Sequence, residues 1–253
     1  MNIIVCIKRV PDTETRVRLA DGDKDIDPGG VKYVMSPYDE FALEAALRMK
    51  EERGDGEVTV LTLGADSAQE TLRAGLAVGA DAAVLLKGAV TMDGLATAKT
   101  LTAELEGRDA PLILFGVKAA DYDQQQVGPM VATLLGRPCA SNVTSFELTD
   151  GAVLCRREVE GGTEVVELQL PAVVSVTKGE FQLRYASLKG IMAAKKKEIR
   201  QVAAPPAVDR QTIMALYVPE KGKQTRMIEG PPAEAAKALI RLLREEARAI
   251  EGE

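Results

Sequence analysis

Glu57–Leu86 reads EVTVLTLGADSAQETLRAGLAVGADAAVLL, and its periodicity decides the fold. Glu57–Leu63 is a strand-length run of valine, threonine and leucine that stops at Gly64-Ala65-Asp66. Ser67 and Glu70 have the spacing of a capping box, Leu72 and Leu76 share one helical face, and Gly79 sits where a helix-ending glycine belongs. Ala82–Leu86 is a second short apolar run. Strand, helix and strand in that order make a βαβ unit, whose crossover is right-handed.

The pattern continues in both directions. Asn2–Lys8 (NIIVCIK) is a nearly continuous apolar run, as a strand covered on both faces requires. Arg9–Arg16 reads as a loop, and Val17–Leu19 with Ile26 flanks the turn-rich ADGDKD as a short hairpin. Ser36-Pro37-Tyr38-Asp39 predicts a helix start, with a serine cap, proline in the first turn and an acid at the positive end of the dipole. Tyr38, Phe41, Ala42, Ala45, Ala46 and Met49 recur at helical spacing, and the helix stops near Gly54. Asp93–Leu105 is a helix of small residues and leucine, Leu112–Val117 a strand, and Val127–Leu135 a helix closed by Gly136. Four strands alternating with four helices predict an α/β fold on a parallel sheet. Ligands of such sheets collect at the carboxyl ends of strands, here Cys6–Arg9, Leu63–Asp66 and Gly116–Gln126.

Beyond Gly136 the period changes. Val153–Val159 and Glu164–Leu170 alternate about the turn Glu160-Gly161-Gly162 as an added β-hairpin, and Ala172–Val176 is a further strand. Gln201–Pro232 holds five of the twelve prolines and reads as an extended arm. Ala233–Ile250 is a helix with Ala236, Leu239, Ile240, Leu243, Ala247 and Ile250 on one stripe. The expected organisation is therefore an α/β domain over 1–200 and an arm plus helix over 201–253.

Composition narrows the chemistry. At 253 residues, 46% hydrophobic and 28% charged, the chain can bury a substantial core. The net charge of −6, with basic residues scattered except at Lys195–Lys197, disfavours nucleic-acid binding. The absence of histidine removes histidine triads, histidine-ligated metals and the commonest general base. Cys6, Cys139 and Cys155 are odd in number and widely spaced, as free thiols of a reducing compartment are. No apolar run is long enough to span a bilayer, and the chain starts directly in a strand, so a soluble cytoplasmic protein is expected.

Gly116–Pro129, GVKAADYDQQQVGP, follows a strand and leads into a helix N-terminus, whose free N–H groups suit an anion. Asp121 and Asp123 equally suit the capping and solvation of a surface loop. Neither a Walker A sequence nor GxGxxG occurs, which points to a nucleotide held by backbone groups from several strand ends. Glu51-Glu52 and Asp121/Asp123 are paired acids of a solvated kind, and Glu158 beside Arg156 and Arg157 suits exposed ion pairs worth ~0.2–1 kcal/mol. With no acid–base dyad, nucleophile or metal cage, a binding or carrier role outranks an autonomous enzyme. Gln182–Ile199, QLRYASLKGIMAAKKKEI, is locally a helix capped by Ser187 with lysines at its carbonyl end. It also displays Leu188 on a turn, next to Ile191 and Met192, as a recognition loop would.

VCIKRVPDT, SPYDEFALEAALRMKE, the GAD…TLRAGLAVGAD segment, LPAVVSV and RYASLKGIMAAKKKEI together resemble, in order, the β subunit of electron transfer flavoprotein. That resemblance implies an adenine nucleotide alpha hydrolase-like nucleotide-binding domain that pairs with an α subunit holding most of the FAD. The heterodimer would take electrons from dehydrogenases, such as the acyl-CoA dehydrogenases of fatty acid β-oxidation, and pass them to a membrane quinone oxidoreductase. It further implies AMP against Cys6, Ser36, Pro37, Tyr38, Asp39, Leu63, Gly116, Val117, Lys118, Asp121, Asp123, Gln124, Gln125, Gln126 and Val127, with Tyr38 approaching the flavin. Leu188, within a docking set of Arg184, Tyr185, Ile191 and Met192, would be the knob that enters the dehydrogenase, and Glu158 would help hold the mobile FAD domain. The arm and last helix would wrap the α subunit. Ser36 stands where many members have Asn, Leu63 where some have Cys, and Lys189-Gly190 where mitochondrial-type members have Pro-Asn. Gln126-Val127-Gly128-Pro129 resembles the bifurcating branch, whose β site holds a second FAD, but Gln124-Gln125 replace the small residues of that branch. Two bulky amides would crowd a flavin diphosphate, so AMP is expected. An adenine-nucleotide hydrolase or sensor of similar architecture is the remaining alternative.

Overall fold

β1 (Ile3–Cys6) lies between β4 (Val58–Gly64) and β6 (Leu112–Gly116), parallel to both, and all four of its residues are buried. A strand so placed can carry only apolar side chains, which explains why NIIVCIK shows no alternation. The computed structural model describes residues 1–90, 93–206, 208–219 and 225–250. Outward from β4 come β5 (Ala82–Lys87) and β11 (Ile199–Ala203); outward from β6 come β10 (Ala172–Val176), β7 (Cys139–Thr149), β8 (Ala152–Val159) and β9 (Gly162–Gln169). The nine-stranded order among the described residues is β11-β5-β4-β1-β6-β10-β7-β8-β9, with antiparallel pairing only at β7-β8 and β8-β9. The expected mostly parallel α/β sheet with an added hairpin is what forms.

Alternation along β1 sorts the core into two layers. Ile3, Val5 and Ile7 face the side covered by α1 (Pro37–Arg53) and α2 (Gln69–Val78). Ile4 and Cys6 face the side covered by α3 (Gly94–Leu105) and α4 (Val127–Leu135). α1 buries far more than the expected stripe, because Leu43, Leu47 and even Asp39 and Glu44 are also inside. Gly54 closes it in the left-handed region at φ 72°.

Several local expectations are overturned. The Ser36 side chain makes no cap bond to α1, since its hydroxyl is engaged by the loop after β6. The Ser67–Glu70 capping box does not form: Asp66–Ala68 is a 3-10 turn and α2 starts from Gln69 without a side-chain cap. Part of the Arg9–Arg16 loop is strand, because β2 (Arg9–Pro11) pairs antiparallel with β3 (Tyr33–Met35). Leu19 and Ile26 do bridge across the ADGDKD turn. β7 and β11 carried no strand expectation, since β7 is largely polar and β11 has only Ile199 buried. The start of the expected arm is therefore a sheet edge.

α5 (Leu188–Lys196) is capped by Ser187, whose Oγ accepts from the Gly190 N–H at 3.0 Å. It packs on α2: Lys197 Nζ donates to the Ala80 carbonyl at 2.7 Å, and the Arg73 guanidinium donates to the Ala194 and Lys197 carbonyls. The chain divides into two units, Met1–Leu216 and Tyr217–Glu253. In the second, α6 (Pro232–Glu245) buries no residue and ends early, so Ala247 and Ile250 fall outside the helix. Residues 207 and 220–224 of the expected arm lie outside the described residues. Within the described residues no helix is long and apolar enough to cross a membrane.

The α2–α5 contact needs a bare backbone at Gly190, where a Cβ would come to 2.4 Å from the Ala77 carbonyl oxygen. Overpacking of that kind costs about 1–3 kcal/mol, more than the ~1 kcal/mol of helix propensity that alanine returns. Gly190→Ala is therefore expected to lower the urea unfolding midpoint. An unchanged or higher midpoint would show that α5 can move away freely.

Candidate functional site

The strand order reverses at β1, which leads first to β4 and β5 on one side and later to β6 and β10 on the other. A crevice forms at the carboxyl ends of strands at such a switch. Here it becomes a cavity of about 810 Å³, counting its open mouth.

One carboxylate shapes it. Asp39, in the first turn of α1, accepts from the Lys8 N–H through Oδ2 at 2.7 Å and from the Gly116 N–H through Oδ1 at 3.0 Å. It thereby ties the end of β1 to the end of β6. The approach is so close that a Cβ on Gly116 would lie 2.4 Å from Asp39 Oδ1 and 2.7 Å from the Asp39 nitrogen. Burial pushes the Asp39 carboxyl up to about 7, against the opposite pull of the two N–H donors and the Lys8 charge. Ser36 secures the next segment: its Oγ contacts the Lys118 carbonyl at 3.4 Å and accepts from the Ala120 N–H at 3.3 Å.

The loop beyond β6 forms the rim. Asp123 and Gln125 both take the left-handed conformation at φ 55°, which turns the chain back into α4. Lys8 Nζ meets Asp121 at 2.6 Å and stands 4.0 Å from the Tyr122 ring centroid, while Lys118 Nζ meets Asp123 at 2.6 Å. The Gln126 side-chain amide donates to Gln124 Oε1 at 3.0 Å. The two helices opposite differ at their N-termini. Asp93 caps α3 by accepting from the Leu95 and Ala96 N–H groups at 2.9 and 3.0 Å. No side chain caps α4, so its first turn is the end able to meet an anion.

Of the expected nucleotide residues, Cys6, Asp39, Leu63, Gly116, Val117, Lys118, Gln124, Gln125, Gln126 and Val127 line the cavity. Ser36, Pro37, Tyr38, Asp121 and Asp123 do not; Ser36 braces the loop from behind, and the two aspartates hold the rim lysines. Sequence reasoning missed the wall given by α3, with Gly94, Thr97 and Leu101; Tyr122 at the rim lies within the expected Gly116–Gln126 segment. The small residues of Asp93–Leu105 were the available signal, because a helix of that kind lets a ligand or loop come close. Gly94 is where the Gln126 side chain lies, 2.5 Å from the position of an added Cβ. Burial raises the Cys6 thiol far above the ordinary range, so it is wall and not nucleophile.

The second expected cluster is a short loop tied down at Arg184 that runs into the exposed first turns of α5, so Leu188, Ile191 and Met192 are helical and not on a turn. Arg184 Nε donates to Glu44 Oε2 at 2.8 Å and its Nη1 to Glu51 Oε1 at 2.6 Å, while Arg48 joins Glu44 at 2.6 Å and the Gln182 carbonyl at 2.9 Å. Burial disfavours charge on Glu44, yet the hydrogen bonds from Arg184 and Arg48 prevail and hold its carboxyl below the usual range. Arg184 is therefore an anchor of the loop. Tyr185 and Leu188 project at 96% and 85% exposure, followed by Met192 and Ile191. Glu158 is not brought to this cluster, since β8 lies near the opposite edge of the sheet. The expected Glu158 ion pair is replaced by Arg157 with Glu164 at 3.1 Å; the Glu158 carbonyl accepts from Asn142 Nδ2.

Residues 25–207 match the model of the electron transfer flavoprotein domain. The chain is 36% identical to the electron transfer flavoprotein subunit beta of Syntrophomonas wolfei, over 94% of each chain. It is 34% identical to the subunit of that name in Bacillus subtilis, over 99% of this chain and all of that one, and 40% identical to the one in Bradyrhizobium diazoefficiens, over 79% and 81%. The chain belongs to the electron transfer flavoprotein β-subunit family. Electron transfer by a flavoprotein is accordingly its function in outline. The family-matched residues include the anchored loop, β11 and all of the cavity lining except Cys6, Ile7 and Lys8 at the end of β1.

The Asp39 staple has a testable pH signature. Its folded pKa of about 7 is raised above the ordinary carboxylate value of 3.8, so between those values the folded chain keeps a proton that the unfolded chain has released. Stability from this group is fully present below about pH 4 and is lost as pH rises through about 7. Asp39→Asn removes the titration and one of two acceptors, at a cost of about 1–3 kcal/mol. Urea unfolding at pH 5 and pH 8 should show a smaller deficit for the variant at pH 8. A deficit that grows with pH would mean that the carboxylate is the favoured form.

Proposed function

We propose that the chain is the β subunit of a heterodimeric electron carrier, taking electrons from dehydrogenases such as acyl-CoA dehydrogenases and passing them through FAD to a membrane quinone oxidoreductase. The observation that carries this reading is the pairing of a switch-point cavity without catalytic machinery with a rigidly based, bare apolar loop. FAD, shared with the α subunit, would supply reversible electron uptake. This chain would hold and shield it, with Tyr38 on the flavin side.

The cavity lining offers the groups that AMP would need. Leu63, Phe115 and Leu101 offer apolar wall to a base, and the uncapped first turn of α4 offers N–H groups to one phosphate. Lys8 and Lys118 stand at the rim, paired with Asp121 and Asp123, and would meet the phosphate by exchanging those partners. A second FAD would need room for a diphosphate and a further ring system where Gln124, Gln125 and Gln126 put their side chains. The Gln126-Val127-Gly128-Pro129 segment supports that bifurcating alternative, and the amide-filled rim weighs against it. Three free thiols suit a reducing cytoplasmic setting. In the Tyr217–Glu253 unit, the half-exposed Leu239 and Ile240 of α6 suit a permanent contact with the α subunit.

Releasing nucleotides from the purified heterodimer decides among these readings. One AMP for each FAD is expected; two FAD without AMP would establish the bifurcating type, and a colourless monomer that hydrolyses ATP would establish the hydrolase. Leu188→Ala should weaken electron uptake from a reducing dehydrogenase roughly tenfold, since burying one leucine is worth ~1.5–3 kcal/mol. Flavin content should not change. Unaltered uptake kinetics would refute the docking role of Leu188.

A further inference from the structure

Behind the anchored loop, on the face of the sheet away from the nucleotide cavity, α1, α2 and β3 enclose a groove of about 1070 Å³, counting its open side. Its floor is apolar, built from Met35, Leu43, Ala74 and Val78. Its rear wall is the loop itself, where Arg184 and Arg48 neutralise Glu44. The rim carries Tyr185 and two further acids, Glu40 and Glu70. Among the described residues Glu40 forms no ion pair, and Glu70 has only Arg9 at 3.9 Å, with its side chain 80% exposed. Partial burial raises the Glu40 carboxyl, so a counter-charge brought to it would be favoured.

We infer that this groove is a socket for the electron donor, taking an apolar side chain flanked by lysine or arginine from the same dehydrogenase surface that receives Leu188. The inference rests on the reading of Leu188 as the docking knob. Three observations support it. The groove shares Arg184 and Tyr185 with the loop that carries the knob, so one partner can cover both. The apolar floor under an acidic rim is complementary to a cationic, apolar segment and repels an acidic one. The salt-bridged rear wall keeps the groove open without a partner, which lowers the ordering cost of docking.

The test uses the intact heterodimer and the dehydrogenase of the source cell that reduces wild-type flavin fastest. Rim charges act chiefly on encounter, so Glu40→Gln/Glu70→Gln should raise the KM for the heterodimer about fivefold (~1 kcal/mol) and flatten its salt dependence, with kcat unchanged. Ala74→Phe, which fills the floor, should raise KM as well while leaving the salt slope alone. KM and salt slope within twofold of wild type in the rim variant would overturn the socket. If Leu188→Ala still raises KM, the docking loop survives that failure; if it does not, the docking reading falls too. Loss of the α subunit or of flavin from the rim variant would assign the groove to the subunit interface and also overturn the proposal.

Discussion

A single buried carboxylate holds the switch-point cavity in shape. Asp39 is the only side chain among the described residues bonded to the ends of both β1 and β6, the strands between which the sheet reverses. Both bonds are to backbone N–H groups, so they constrain main chain, and the loop that becomes the cavity rim departs directly from the stapled Gly116. The geometry leaves no latitude at Gly116, where a Cβ would collide with the first turn of α1. Ser36 continues the same function one step later by holding Lys118 and Ala120. The cavity is thus a consequence of how α1 begins.

The two buried acids of α1 show that environment, not residue type, decides what a carboxylate contributes. Asp39 is surrounded by backbone donors and apolar strand ends, and burial outweighs the donors, so its proton affinity rises. Glu44, one and a half turns on, meets two guanidinium groups and stays charged. The first makes a rigid cavity, the second a rigid loop base. Because both sit on one helix, the cavity on one side and the loop on the other are held in fixed relation by α1.

Most of the fold was legible because buried parallel strands and capped helices leave strong local signals. NIIVCIK, EVTVLTL and LILFGV are apolar for the same reason that they are covered on both faces. β7 and β11 were not legible: β7 is partly exposed along a polar sequence, and β11 gains its place only by pairing with β5. Capping motifs misled twice. Ser36 and Ser67 have the right spacing, but tertiary partners engage the first, and a 3-10 turn displaces the helix start from the second. In the candidate site the strand-end segments were readable from topology alone. The α3 wall was not, because it reaches the cavity through packing across the sheet. The anchoring role of Arg184 was equally hidden, since its partners Glu44 and Glu51 lie far away in sequence.

The docking role proposed for the anchored loop suits a carrier, which must recognise partners without retaining them. One buried leucine gives ~1.5–3 kcal/mol, while micromolar affinity needs about 8. A flexible loop would spend part of that small gain on ordering, at about 1–2 kcal/mol for each backbone residue fixed. Here the ordering is done in the unbound state by Arg184, Arg48 and the α2–α5 contact at Gly190. A preformed loop can therefore bind with little ordering cost and still release quickly. Electron delivery requires repeated exchange between a donor and an acceptor. Ion pairs at the base, combined with Leu188 exposed at the start of α5, suit the docking role proposed for it.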